Sequence, residues 1–164
     1  MPNQMQRSIP QTRKTQRDMR GFSLTELLIV LGIIMVIAGI ATPNLVAAID
    51  QARVARAVGD INAIEIDITE YQITNATYPN TLADVGRSAM LDPWGSPYQY
   101  FNHQTSTGNG ILRKDQFLIA VNTDYDLYSM GKDGQTAAPI ASGTGRDDVI
   151  RGTNGGYVGP ALSY

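Results

Sequence analysis

The sequence predicts an α+β fold in which a long N-terminal helix packs on a small antiparallel sheet, followed by an irregular, glycine-rich C-terminal loop. Three features predict it. Residues 22–41 are an apolar run with a single ionisable side chain, Glu26. Apolar residues then recur every three or four positions as far as Tyr71. After Thr74, turn-forming residues alternate with short strand-like segments, and eight glycines lie between Gly131 and Tyr164.

Composition and charge exclude several classes of function. The chain has 164 residues, no cysteine and one histidine, His103, which excludes disulfides, thiolate metal sites and any site that needs two imidazoles. Residues 1–21 carry a net charge of +4 against −2 for the whole chain, which leaves −6 for the remainder. An acidic body disfavours binding to a phosphate backbone, so no nucleic-acid partner is expected. We predict that the protein is not an enzyme.

Residues 22–43 are predicted to cross a membrane. A helix of about 20 residues spans roughly 30 Å, the thickness of a bilayer's hydrocarbon core. The basic leader, residues 1–21, should remain in the cytoplasm, and the body should lie on the far side of the membrane. An alternative is a secretory signal peptide cleaved after Ala48, which would release a soluble periplasmic enzyme or binding protein.

Glu26 allows two interpretations. Ser23 and Glu26 have the spacing of a capping box directly before an apolar run, so Glu26 could close the first helical turn. A carboxylate in an apolar helix could equally have a special role, because such a group is expensive in a membrane.

The helix is predicted to continue past the membrane as an amphipathic segment, residues 44–74. One apolar stripe supports this interpretation; its members are Val54, Val58, Ile61, Ile64, Ile68 and Tyr71. The globular body, residues 75–164, then contains three predicted strands, at residues 98–101, 116–121 and 125–130. The remainder of the body is predicted to be irregular.

Residues 20–30, RGFSLTELLIV, closely resemble the processing site of type IV pilins and type II secretion pseudopilins. The resemblance implies a pilin-like fold and cleavage of the leader by a prepilin peptidase between Gly21 and Phe22. It implies N-methylation of Phe22 as the new first residue. It also makes Glu26 an assembly residue, whose carboxylate would pair with the new amine in the filament core.

Two further stretches narrow the resemblance to the major pseudopilins of type II secretion: residues 91–100, and residues 125–134 followed by 147–150. The implied function is a structural subunit of a periplasmic pseudopilus that supports protein secretion. The implied location is the inner membrane, crossed once. The implied partners are further copies of the chain, minor pseudopilins, the prepilin peptidase, and an inner-membrane assembly platform with its ATPase. An alternative within the superfamily is a type IV pilin of a surface fibre used in adhesion or motility.

The same resemblance implies one calcium ion in the last loop. Its ligands would be side chains among Asp133, Asp147 and Asp148, with a main-chain carbonyl near Met130. Calcium takes six to eight oxygen ligands, and carboxylates and carbonyls are suitable donors. In this sequence the segment 135–146, between the expected ligands, is longer than the family pattern, and residues 155–164 form an added tail.

Overall fold

The computed structural model describes residues 21–105 and 112–164, and the α+β prediction is confirmed. The chain divides into two units, Met1–Thr42 and Pro43–Tyr164. The leader, apart from Gly21, lies outside the described residues. One helix and four strands follow in order: α1 (Leu24–Asn75), β1 (Gln99–Asn102), β2 (Tyr125–Ser129), β3 (Val149–Gly152) and β4 (Tyr157–Pro160).

In the first unit, α1 presents an apolar surface on every side. Each leucine, isoleucine, valine and methionine between Leu24 and Ile40 is at least 47% exposed. The helix contains a stretch that is long and apolar enough to cross a bilayer. An apolar surface of this extent marks a site that lipid or another protein covers.

In the second unit, one face of α1 packs against the sheet. Ala57, Ile61, Ile64 and Ile68 are completely buried, as the predicted stripe requires, although Ala57 was not part of that prediction. They form a core with side chains from the loops and strands; the buried members are Leu82, Tyr98, Tyr125, Leu127 and Val149. The helical spacing of the isoleucines thus fixes which side of the helix meets the sheet.

The sheet is an antiparallel meander in the order β1-β2-β3-β4. In the register, Tyr100 lies opposite Leu127, and Tyr128 lies opposite Ile150. Because successive side chains of a strand point to opposite faces, Leu127 joins the core beneath α1 and Tyr128 joins a second core on the other face. The buried members of that second core are Val121, Ile140, Ile150 and Ala161.

The prediction that the C-terminal region is irregular was wrong, because β3 and β4 lie within it. All four residues of β3 are buried. The glycines in these strands are sites of close approach: a Cβ on Gly152 would lie 2.5 Å from the Tyr164 ring, and one on Gly159 would lie 2.7 Å from the Tyr157 hydroxyl. Glycine in a strand often marks such an approach, and its lack of a side chain hides the alternating pattern.

The predicted strand at residues 116–121 was also wrong, because the chain turns there. The Asp115 carboxylate accepts hydrogen bonds from the backbone N–H groups of Phe117 (2.8 Å) and Ile119 (2.9 Å). Leu118 adopts a φ of 63° at the tip. Asp is favoured in turns because its side chain can bond the backbone two residues on, and here that preference outweighs the apolar sequence.

The two isoleucines at positions 64 and 66 provide a matched test of this packing. Ile64 is fully buried, whereas Ile66 is 67% exposed. Ile64→Ala should lower the free energy of unfolding by about 2–5 kcal/mol through lost burial and a cavity. Ile66→Ala should change it by about 0.5 kcal/mol or less. Denaturant titration of the detergent-solubilised chain, followed by the fluorescence of its single tryptophan, measures both. Equal losses would contradict the helix orientation described above.

Candidate assembly site and C-terminal loop

The predicted processing residues lie immediately ahead of the helix. Gly21, Phe22 and Ser23 are exposed and non-helical, and α1 begins at Leu24. The Phe22 side chain is 83% exposed. A peptidase needs an accessible backbone, and the Gly21–Phe22 peptide lies in an exposed segment ahead of the helix. Cleavage and methylation at this point stay predictions.

Glu26 forms the capping box that its spacing from Ser23 predicts. The Ser23 N–H donates to Glu26 Oε2 at 2.9 Å, and the Glu26 N–H donates to Ser23 Oγ at 3.2 Å. These bonds satisfy two of the backbone donors that every helix N-terminus leaves open. Only the bond from the Ser23 N–H engages the carboxylate, at Oε2, so capping is compatible with an additional partner at Oε1.

Asp147 closes the base of the C-terminal loop. Its Oδ2 accepts hydrogen bonds from the backbone N–H groups of Lys132 (2.9 Å) and Asp133 (3.0 Å). The turn at Gly131 has a φ of 64°, and a Cβ there would lie 2.3 Å from the Asp147 carbonyl oxygen. The Asp133 Oδ1 accepts a bond from the Gln135 N–H at 2.8 Å. The carboxylates of Asp147 and Asp133, two of the predicted calcium ligands, therefore accept hydrogen bonds from backbone N–H groups of this turn.

Asp148 is completely buried, and its carboxylate accepts hydrogen bonds from side chains instead of from the backbone of the turn. Its Oδ2 accepts hydrogen bonds from the Arg113 guanidinium and from the Thr136 hydroxyl, the latter at 2.7 Å. Burial raises the pKa of Asp148 to about 6, while the bonds from Thr136 and Arg113 act in the opposite direction. Arg113 supplies the positive charge that compensates the Asp148 carboxylate.

As arranged, these residues do not form a calcium-binding set. Among the residues that the structure describes, no group of three or more His, Asp or Glu side chains is placed to hold a metal ion. Asp148 Oδ1 is buried without a hydrogen-bond partner, but one free oxygen falls far short of the six to eight that calcium takes. Met130 is half-buried directly before Gly131. The calcium ligands named from the resemblance stay a prediction.

The structure brings together the two body motifs that carried the resemblance. In the first, Asp92 Oδ1 accepts bonds from the N–H groups of Trp94 and Ser96, at 3.0 and 2.8 Å. Its Oδ2 accepts a bond from the Ser129 hydroxyl of the second motif at 2.5 Å, and Ser129 Oγ in turn accepts one from the Gly131 N–H. The Asp92 carboxylate therefore ties the proline- and tryptophan-containing loop to the end of β2.

A buried arginine that the sequence analysis did not single out joins α1 to the sheet. Arg151, in β3, donates from Nε to Glu65 of α1 at 2.8 Å. Its Nη1 and Nη2 donate to the two oxygens of Asp124, at 2.9 and 2.8 Å, and its guanidinium lies 4.0 Å from the centre of the Tyr125 ring. The charge of a lone arginine in a strand gives no local signal of partners so far away along the chain.

Comparison with known protein families indicates the class of protein to which this chain belongs. Residues 16–42 match the prokaryotic N-terminal methylation motif, which includes Gly21, Phe22 and Glu26. With the α+β architecture described above, this match defines a pilin-like protein. The motif and the apolar helix fit a protein that crosses the inner membrane once.

Relatives that match over most of their length define the family. The type II secretion system core protein G of Vibrio cholerae is 30% identical over 156 residues, covering 82% of this chain and 92% of the relative. That of Escherichia coli is 31% identical over 121 residues, covering 71% and 83%, and that of Pseudomonas aeruginosa is 28% identical over 141 residues, covering 73% and 88%. The chain belongs to the family of type II secretion system core protein G, as the sequence resemblance predicted.

Arg151 and Arg56 allow the buried ion pairs to be tested against a surface pair. Arg56 lies 3.7 Å from Asp60 and its side chain is 66% exposed. Arg151→Met should lower the free energy of unfolding by about 3 kcal/mol, because it leaves Glu65 and Asp124 without their buried cation. Arg56→Met should cost less than about 1 kcal/mol. Denaturant titration measures both, and a small, equal loss in the two variants would show that Arg151 does not hold helix and sheet together.

Proposed function

We propose that the chain is the major structural subunit of a periplasmic type II secretion pseudopilus and that it supports protein secretion without catalysing a reaction. The observation that carries this proposal is the apolar part of α1, residues 24–41, which is exposed on every side and whose single ionisable residue, Glu26, lies within a matched methylation motif. The relatives named type II secretion system core protein G support the same assignment.

The exposed helix determines where the subunit resides. The apolar part from Leu24 to Thr42 spans roughly 30 Å at 1.5 Å per residue, which matches the hydrocarbon core of a bilayer. When a subunit leaves the bilayer for a filament, the same surface must be covered again, and the helices of identical subunits offer matching apolar faces. The proposal therefore makes further copies of the chain its first partners.

The charge distribution determines the orientation. The net charge of +4 in residues 1–21 favours retention of the leader on the cytoplasmic side, which sends the acidic body to the periplasm. The leader would there be accessible to a prepilin peptidase that cuts between Gly21 and Phe22 and methylates Phe22. The further proposed partners are minor pseudopilins and an inner-membrane assembly platform with its ATPase.

Glu26 would set the position of one subunit against the next. Cleavage creates an amine at Phe22, and an unpaired amine and an unpaired carboxylate are each costly in an apolar filament core. A pair between the Phe22 amine and Glu26, in the same or a neighbouring chain, compensates both charges. The capping bonds engage Oε2 of Glu26, so Oε1 can serve this pair without loss of the cap.

Two substitutions separate pairing from capping. Glu26→Gln keeps the capping pattern, because glutamine also serves in a capping box, but it removes the charge. Ser23→Ala keeps the charge and removes a cap worth about 1 kcal/mol. We expect both variants to insert into the membrane and to be processed. Glu26→Gln should abolish filaments and secretion, whereas Ser23→Ala should retain them, as judged by electron microscopy and by exoprotein release.

The opposite pattern would reject the assembly role of Glu26. Filaments of normal number and length in Glu26→Gln would show that its charge is dispensable. If assembly is lost in Ser23→Ala and kept in Glu26→Gln, the cap is the feature that matters.

Mass spectrometry of the mature protein tests processing directly. The membrane-extracted protein should begin at Phe22 and carry one added methyl group on its amine. A soluble periplasmic protein that begins at Ile49 would instead support a signal peptide and would contradict the whole proposal.

A further inference from the structure

The C-terminal loop contains a buried cation of its own. Arg113 is 3% exposed, and its guanidinium donates hydrogen bonds to three oxygen acceptors of different kinds. Nη2 binds the Asp148 carboxylate, and Nη1 binds both the Thr136 hydroxyl and the Ala137 carbonyl, the last at 2.7 Å. The guanidinium also lies 4.2 Å from the centre of the Tyr128 ring.

These partners come from segments that are distant in the sequence. Thr136 and Ala137 begin the long segment 135–146, and Asp148 directly precedes β3. The backbone N–H of Arg113 donates to the buried Asp126 of β2 at 2.9 Å, so the residue is itself anchored to the sheet. Through its side chain and its backbone N–H, Arg113 thus connects the start of the loop, its end and strand β2.

The guanidinium here performs the electrostatic task of a bound metal ion. A carboxylate, a hydroxyl and a main-chain carbonyl are the oxygen types that coordinate calcium, and all three converge on Arg113. Charge-assisted bonds from arginine to a carboxylate are among the stronger hydrogen bonds in proteins. A divalent cation on the same carboxylate would be repelled at close range by the guanidinium, which stays protonated.

We propose that the Arg113 guanidinium takes the place of a calcium ion, so that the C-terminal loop of this chain folds without metal. The inference concerns only the stability of the globular body. It does not depend on the proposed role in secretion, and either can fail without the other.

Calcium titration gives the first test. The melting temperature of the detergent-solubilised full-length protein is measured in chelator and in about 10 mM calcium, roughly tenfold above the Kd of the weakest extracellular calcium modules. We expect the same melting temperature in both, within about 1 °C. A ligand bound only by the native state raises the melting temperature, so a calcium-dependent rise of several degrees would overturn the proposal.

Substitution of the arginine gives the second test. Arg113→Met leaves the buried Asp148 carboxylate without its cation and should lower the melting temperature by about 6–20 °C. Arg146→Met is the matched control, because Arg146 is an exposed arginine in the same loop. We expect it to melt like the unsubstituted protein. Equal melting of the two variants would show that Arg113 does not hold the loop.

A double variant keeps the proposal testable if Arg113→Met does not fold. Arg113→Met combined with Asp148→Asn removes both charges, so no uncompensated carboxylate is left in the interior. Replacing a whole buried ion pair costs far less than breaking it, so the double variant should fold and regain most of the lost melting temperature. A double variant as unstable as Arg113→Met alone would mean that the pairing with Asp148 is not the function of this arginine.

Discussion

The body of this protein depends on a buried guanidinium in its third strand. Arg151 donates to Glu65 of α1 and to both oxygens of Asp124, and it stacks on the Tyr125 ring. Burial lowers the pKa of Arg151, but the hydrogen bonds to Asp124 and Glu65 outweigh this effect and raise it. Apolar packing defines the buried face of α1, and the charge-assisted bond from Arg151 Nε to Glu65 adds a directional contact between the helix and the sheet.

The same arrangement recurs on the other face of the sheet. Tyr125 and Tyr128 both belong to β2, and their odd spacing places them on opposite faces. Arg151 lies over the first ring and Arg113 over the second, and each is paired with a carboxylate. A short sheet with a core on both faces thus has one buried arginine per face, which joins α1 to one side and the C-terminal loop to the other.

Patterns within short stretches of sequence predicted the buried face of α1 and two of the four strands. The spacing of the isoleucines gave the buried face of α1, and the strands expected at residues 98–101 and 125–130 correspond to β1 and β2 to within about a residue at each end. The strands β3 and β4 escaped prediction because Gly152 and Gly159 interrupt the apolar alternation, where they leave room for the rings of Tyr164 and Tyr157.

The functional residues also divide into those that lie in one contiguous motif and those whose partners are distant in the sequence. Gly21, Phe22 and Glu26 lie in a contiguous motif, and the capping bonds of Glu26 are local, so the sequence alone could identify them. Arg113 and Arg151 could not be identified in this way. Their acidic partners Asp148 and Glu65 lie 35 and 86 residues away, and a single arginine among turns and short strands carries no periodic or spacing signal.

The globular body and the apolar part of α1 differ in how their charged side chains are compensated. In the body, the two buried arginines are each matched by carboxylates of the same chain, so folding leaves neither of these charges without a partner. The carboxylate of Glu26 differs, because its described hydrogen bond comes from the neutral Ser23 N–H while it lies at the start of an exposed apolar helix. A carboxylate in that position is tolerable at the edge of a bilayer and costly in the dry interior of a helical bundle unless a cation joins it. In the function proposed above, that cation is the Phe22 amine created by processing, and the pair with Glu26 would form when subunits assemble.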